Sequence, residues 1–500
     1  MMYKFVIGFL LMNVLVNAYN PTIYELSLRP WLYELTNKYG KKISKLNDIP
    51  MEEFQNLKNI GVDYVWLMGI WQLGKYGLDF DKAHANDYKS NLPDFTIDDV
   101  IGSPYAITEF VCNSELGTDQ DIINLRKKLN DMGLKLMLDF VPNHSAIDSP
   151  YRTSHIDYYI RAPPNTPKPY DSEYYLPDGV SYGGDQWDGF WKDTAQWNYW
   201  NQDTRNYLKS VVKKIASMSD GMRCDMAMVI LNDLFYNKWK PQLDAWGYKK
   251  PSTEFWSEAI KETKQQYPNV IFLAEVYWGK EQDLINLGFD YVYEKWLLDQ
   301  QATLDVGKVR PILSNLNLNY ASHSNHFVEN HDEPRAIKKF SGKDYISCVA
   351  ALMSYSIPGA RFINHGQLEG LSNKLDVHLR RSYKENGSTY VKQFYGKILT
   401  ILKKDVFKSG NWTQLNVSGD QYWKFFAFRW TNATDKIVVI INFSEGSGYG
   451  LVKLSDASSG QQTITELMSG QTYVRNGDDM RNNGLGVIVD GWNAQIFKYF

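Results

Sequence analysis

Five hundred residues, 44% hydrophobic and 15% aromatic, can bury a large core shared between two or three domains. The formal net charge of −3, from 57 acids and 54 bases with no long run of either sign, excludes the basic patch that a nucleic-acid partner requires. Sixteen Trp and 34 Tyr are many for this length, and such amphipathic rings suit sugar faces, so the composition leans towards a carbohydrate ligand.

The first segment reads as a secretory signal. Lys4 supplies the positive end, Phe5 to Val16 the apolar run, and Val16-Asn17-Ala18 a small-residue cleavage site before Tyr19. The run is shorter than the ~20 residues a spanning helix needs, and no later segment is long and apolar enough to cross a bilayer. Residues 1–18 are thus expected to be removed, leaving a mature chain with no membrane span in a secreted or lumenal setting. That setting makes the sequons at Asn386, Asn411, Asn416, Asn432 and Asn442 candidates for glycosylation. Asn143-His-Ser also fits the pattern, but its position predicts an unmodified Asn. Cys112, Cys224 and Cys348 are odd in number and too sparse for a disulfide framework, so buried free thiols are expected.

After Tyr19, strand and helix patterns alternate. Ile23 to Leu28 predicts a strand, Met51 to Ile60 a helix stopped by Gly61, and Tyr64 to Met68 a second strand. A long loop from Gly69 leads to helix Asp119 to Asp131 and strand Leu134 to Val141. Helix Thr204 to Met218 and strand Gly221 to Asp225 follow, then strands at Val270 to Glu275, Tyr291 to Tyr293 and Asn325 to Glu329. Helix Asp344 to Tyr355, strand Ala360 to Asn364 and helix Val391 to Lys404 complete eight βα units. Strands spaced by helices indicate a parallel sheet, here an α/β (β/α)8 TIM barrel. Residues 145–204, rich in Pro, Gly, Asp, Tyr and Trp, read as a subdomain inserted after the third strand. From residue 406 short alternating runs punctuated by turns predict a C-terminal antiparallel β-sandwich over 406–500. The barrel would comprise 19–144 and 205–405.

Four apolar runs end in acids or amides: Leu-Asp139-Phe-Val-Pro-Asn143-His144, Gly-Met-Arg223-Cys-Asp225, Phe-Leu-Ala-Glu275-Val and Phe-Val-Glu329-Asn-His331-Asp332. In a barrel of this kind, carboxyl ends of strands build the active site, so these segments predict one pocket. Glycosidic cleavage needs one ionised and one protonated carboxyl. Arg223, on the same strand face as Asp225, would hold Asp225 charged, whereas Glu275 follows Ile271-Phe-Leu-Ala, whose apolar character raises proton affinity. His144 and His331 suit donation to sugar hydroxyls, and Asp332 adds a carboxylate for the positive charge that develops during cleavage. Asp139 and Asn143 could equally be supports or contacts. Neither His-Glu-x-x-His nor a phosphate-binding glycine loop occurs.

These segments resemble, in order, the four signature regions of the α-amylase family of glycoside hydrolases, and the resemblance extends over essentially the whole chain after residue 18. It implies that Asp225 is the nucleophile, Glu275 the general acid/base and Asp332 the transition-state stabiliser, with no cofactor for the chemistry. It further implies sugar or nucleophile contacts from Arg223, His144 and His331, a stacking aromatic at Tyr105 in Gly-Ser-Pro-Tyr-Ala, and a sugar contact at Arg335 in His-Asp-Glu-Pro-Arg. The family's structural calcium would take Asn143, Asp193 and the main-chain carbonyl of Val229. The alternative is that Asn143 bonds backbone in the insertion and no metal binds. The chain departs from the family where Met228 and Val229 replace a common Lys-His pair. The function so implied is a secreted, monomeric, retaining α-glycosidase hydrolysing α-1,4-glucosidic bonds of starch-like glucans or maltooligosaccharides. An exo-acting α-glucosidase or glucosyltransferase, or a catalytically silent binding ectodomain, are the alternatives. Retention of all three acids speaks against the last.

Overall fold

The computed structural model describes residues 19–187 and 189–500, so the signal-like segment at 1–18 lies outside the described residues. Eight parallel strands close into a barrel: β1 Thr22–Ser27, β2 Tyr64–Met68, β3 Lys135–Phe140, β4 Gly221–Cys224, β5 Ile271–Ala274, β6 Tyr291–Glu294, β7 Ser324–His326 and β8 Ala360–Asn364. Each pairs with its sequence neighbour, and β1 pairs with β8 to seal the ring. Both faces of these strands are covered, so they carry uninterrupted apolar runs: Leu136, Met137 and Leu138 are all fully buried.

The helices between strands form for local reasons that the sequence shows. Helix Asp119–Asp131 begins at Thr118, whose side chain accepts the Asp121 N–H while Asp121 accepts the Thr118 N–H. Such a reciprocal cap stabilises a helix start by about 1 kcal/mol. Ile122, Leu125 and Leu129, spaced three and four apart, face the barrel. Gly133 then turns the chain at φ +76°, a backbone that a side chain would oppose.

Residues following β3 form the insertion, a three-stranded antiparallel sheet of His144–Ala146, Phe190–Gln196 and Tyr182–Gly184. The segment after β2 is more structured than its sequence suggested. It holds the antiparallel pair Trp71–Leu73 and Ile107–Cys112 and the helix Lys75–Ala83. It is fastened to the loop after β8 by Arg381, whose guanidinium donates to Asp99 at 2.9 and 3.1 Å.

Beyond residue 405 a six-stranded and a three-stranded antiparallel sheet form the C-terminal sandwich. The indoles of Trp412 and Trp430 both donate to the Ser356 carbonyl of the barrel, at 3.1 and 2.8 Å. At the amino-terminal end of the barrel, buried Lys408 donates to Thr22 at 3.0 Å and to Asp63. Arg361 on β8 donates to the Phe407 carbonyl at 2.8 Å.

Cys112, Cys224 and Cys348 are buried free thiols, as their spacing indicated. Of the sequons, Asn386, Asn411 and Asn416 are exposed. Asn442 is a correction: it is fully buried and donates to the Gly446 and Val489 carbonyls, both at 3.0 Å, leaving no room for a glycan. No helix of the described residues is long and apolar enough to cross a membrane.

Candidate active site

The strand register sets Arg223 at the centre of the site. On β4 it lies opposite Asp139 of β3 and Leu273 of β5, one residue from the point where the barrel opens. Its side chain is fully buried. One guanidinium nitrogen donates to Asp225 at 2.7 Å and the other to Glu275 at 2.6 Å, while Asp139 lies 3.4 Å away. Trp66, Tyr105 and Tyr293 present their rings around the same guanidinium, with centroids 5.0, 5.5 and 5.9 Å away.

Burial pushes the Glu275 carboxyl up to about 7, against the pull of Arg223 and with help from the negative charges of Asp225 and Asp332. Its two oxygens are held separately. Oε2 accepts from Arg223 and from the Met226 N–H at 2.8 Å, and Oε1 accepts from the Tyr277 hydroxyl at 3.0 Å. Met226 adopts φ +40°, a strained left-handed turn for a non-glycine residue, and this turn aims its N–H at the acid.

His331 joins the opposite side. Nδ1 bonds to Glu25 of β1, and Nε2 lies 2.6 Å from the Tyr105 hydroxyl and 3.1 Å from Asp332. Burial opposes the imidazolium, but Asp332 and Glu25 outweigh it and raise the group to about 9. His331 is therefore a cation at neutral pH, and the Tyr105 ring stacks on it at 5.6 Å. The Asp332 carboxyl is half exposed to the cleft. His144 is the reverse case: burial lowers it to about 4, against Asp225 and the Tyr105 backbone, so it is neutral and offers one ring donor.

Asp225, Glu275, Asp332, Arg223, His144, His331 and Tyr105 are thus brought together, and Arg335 is not. Arg335 is buried and donates to Glu329 at 2.7 Å, the His365 carbonyl at 2.7 Å and the Asn373 carbonyl at 3.0 Å. A guanidinium so held supports the loop after β7. Asp139 is likewise support: it accepts from the Trp66 indole at 2.8 Å, and burial raises it to about 7 against the pull of Arg223.

The implied calcium ligands Asn143 and Asp193 do not converge. In the ladder of the insertion His144 faces Gln196, so Asn143 and Asp193 sit four register steps apart, about 13 Å of strand. Asp193 faces Gly77 and the charges of Asp81 and His378. Asn143 Oδ1 accepts from Gln196 at 2.9 Å. Among the described residues no three His, Cys, Asp or Glu side chains are grouped to hold a metal.

Two site residues escaped the sequence reading. Glu25 is an acid in the middle of a wholly buried first strand, and Tyr277 stands two positions after Glu275. A buried acid within a strand was the available signal for the first; the second carried none, because strand alternation ends at Ala274.

Known proteins resemble this chain over most of its length. Residues 37–421 match the α-amylase catalytic domain. An α-amylase of Dictyoglomus thermophilum is 24% identical over 393 residues, 73% of this chain and 67% of that protein. A salivary α-glucosidase of Anopheles gambiae is 30% identical over 169 residues, 32% of this chain and only 22% of its own length. The crystal structure of an α-amylase from Lactobacillus plantarum, 19% identical, superposes with a TM-score of 0.69, covering 97% of this chain and all of that one. With the match extending over most of its length, the chain belongs to the α-amylase family of glycoside hydrolases.

Proposed function

We propose that this glycosidase cleaves α-1,4-glucosidic bonds of starch-like glucans or maltooligosaccharides with retention of configuration. Asp225 attacks the anomeric carbon, Glu275 protonates the departing oxygen and then deprotonates water, and Asp332 stabilises the oxocarbenium-like charge. The observation that carries this reading is the single guanidinium of Arg223 bridging Asp225 at 2.7 Å and Glu275 at 2.6 Å. Burial keeps Glu275 near 7, so this acid can still carry the proton it must donate at neutral pH, while Arg223 fixes the position of the Asp225 carboxyl. Neutral His144, cationic His331 and Tyr105 are placed to bind the sugar next to the cleaved bond.

A second reading, an exo-acting α-glucosidase or a glucosyltransferase, draws on Met228 and Val229. Both are buried in the turn Ala227–Ile230, so this turn offers no polar side chain to a product-side sugar. Release from the secretory route is proposed on the basis of Lys4 to Ala18 and the exposed sequons at Asn386, Asn411 and Asn416.

Product profiles on starch, maltooligosaccharides and sucrose separate these readings. Mixed oligosaccharides from starch support internal cleavage, single glucose units support exo action, and longer products from sucrose or maltose support transfer. NMR of the first-formed product should show the α-anomer; a β-anomer ahead of mutarotation overturns the mechanism.

A further inference from the structure

The carboxamide of Gln196 is fully buried where the insertion meets the end of β3. Its Nε2 lies 2.8 Å from the Asn143 carbonyl, 2.9 Å from Asn143 Oδ1 and 3.2 Å from the Trp197 carbonyl. Its Oε1 accepts the Gly184 N–H at 3.2 Å. That bond fixes which way the amide faces. With nitrogen and oxygen exchanged, an oxygen would confront three others and Gly184 would lose its acceptor. Asn143 closes the ring by donating Nδ2 to the Gly184 carbonyl at 3.2 Å.

Three carbonyl-type oxygens drawn to one buried point are the environment a hard cation prefers. A donor bearing two hydrogens, held at that point, satisfies the same oxygens through shared hydrogen bonds. We propose that the Gln196 amide takes the role of a structural cation in this chain, tying the insertion to the third barrel strand so that the fold requires no calcium there. The ring joins residues from both sides of the junction: Asn143 follows β3, whereas Gln196 ends the central strand of the insertion and Gly184 ends one of its outer strands. The inference does not depend on which glycosidic bond the enzyme cleaves.

Thermal unfolding of the full chain, with chelator and with millimolar calcium, tests it. The wild-type midpoint should agree between the two conditions to within about 1 °C. Gln196→Met should lower the midpoint equally in both. Gln196→Glu exchanges the donor for a fourth oxygen and should convert the site into a calcium site. Its midpoint should fall in chelator and rise by about 5 °C or more with calcium. If Gln196→Glu cannot be obtained folded without calcium but refolds with it, the inference stands. A wild-type midpoint that drops on chelation and recovers with calcium overturns it. So does a Gln196→Glu variant indifferent to calcium, or a Gln196→Met variant as stable as wild type.

Discussion

His331 Nδ1 is bonded to Glu25, so a carboxyl from the first barrel strand holds an imidazolium that follows the seventh, 306 residues away. Because Glu25 is fully buried, the pair also closes the barrel electrostatically. The folded-state value of His331, about 9, is raised above its ordinary value of 6.5. The folded protein therefore binds the extra proton more tightly than the unfolded chain does. The resulting stabilisation is fully present below pH 6.5 and is lost as pH rises through 9. Up to about 3 kcal/mol is at stake over that window. Denaturant unfolding at a series of pH values should show stability falling between these limits in wild type. His331→Asn should flatten the slope there, and an unchanged slope would refute the charge assignment.

Asp225→Asn and Glu275→Gln should each lower kcat by several orders of magnitude on every substrate while leaving the thermal midpoint within a few degrees of wild type. Activity within tenfold of wild type in either variant would show that its carboxyl is not a reacting group.

The falling limb of the pH–rate profile should lie near 7, where Glu275 loses the proton it must donate. Tyr277 donates to the ionised form of this acid, so Tyr277→Phe removes a stabiliser of the carboxylate. The limb should then move to higher pH, and a shift to lower pH would contradict the hydrogen-bond direction.

Arg335→Ala leaves the Glu329 carboxyl buried without its cation. Breaking such a pair typically costs about 3–5 kcal/mol, so the midpoint should fall markedly. A raised KM with an unchanged midpoint would instead return Arg335 to the role of a sugar contact.

The barrel was legible because its strands are buried on both faces and therefore read as unbroken apolar runs ending in charge. Asp225 and Glu275 stood out for the same reason. The ion pair of Arg335 was not legible because sequence shows which residues follow His331 but not which way they turn, and its partner, Glu329, lies before the turn. Asn143 and Asp193 are both in or beside the insertion, yet antiparallel register sets them four residue steps apart. The helix and strand pair after β2 were read as loop, since Lys75–Ala83 carries no side-chain cap and a glycine inside its first turn.

Ser356 receives the indoles of both Trp412 and Trp430, while Lys408 and Arg361 bind the sandwich junction to the first and last strands of the barrel. Neither half can loosen without stranding polar groups of the other away from water. Barrel and sandwich should accordingly melt as one cooperative unit, giving a single calorimetric transition. A chain ended before Phe407 would lose the cap on its barrel seam, and its first symptom should be fraying where β1 meets β8.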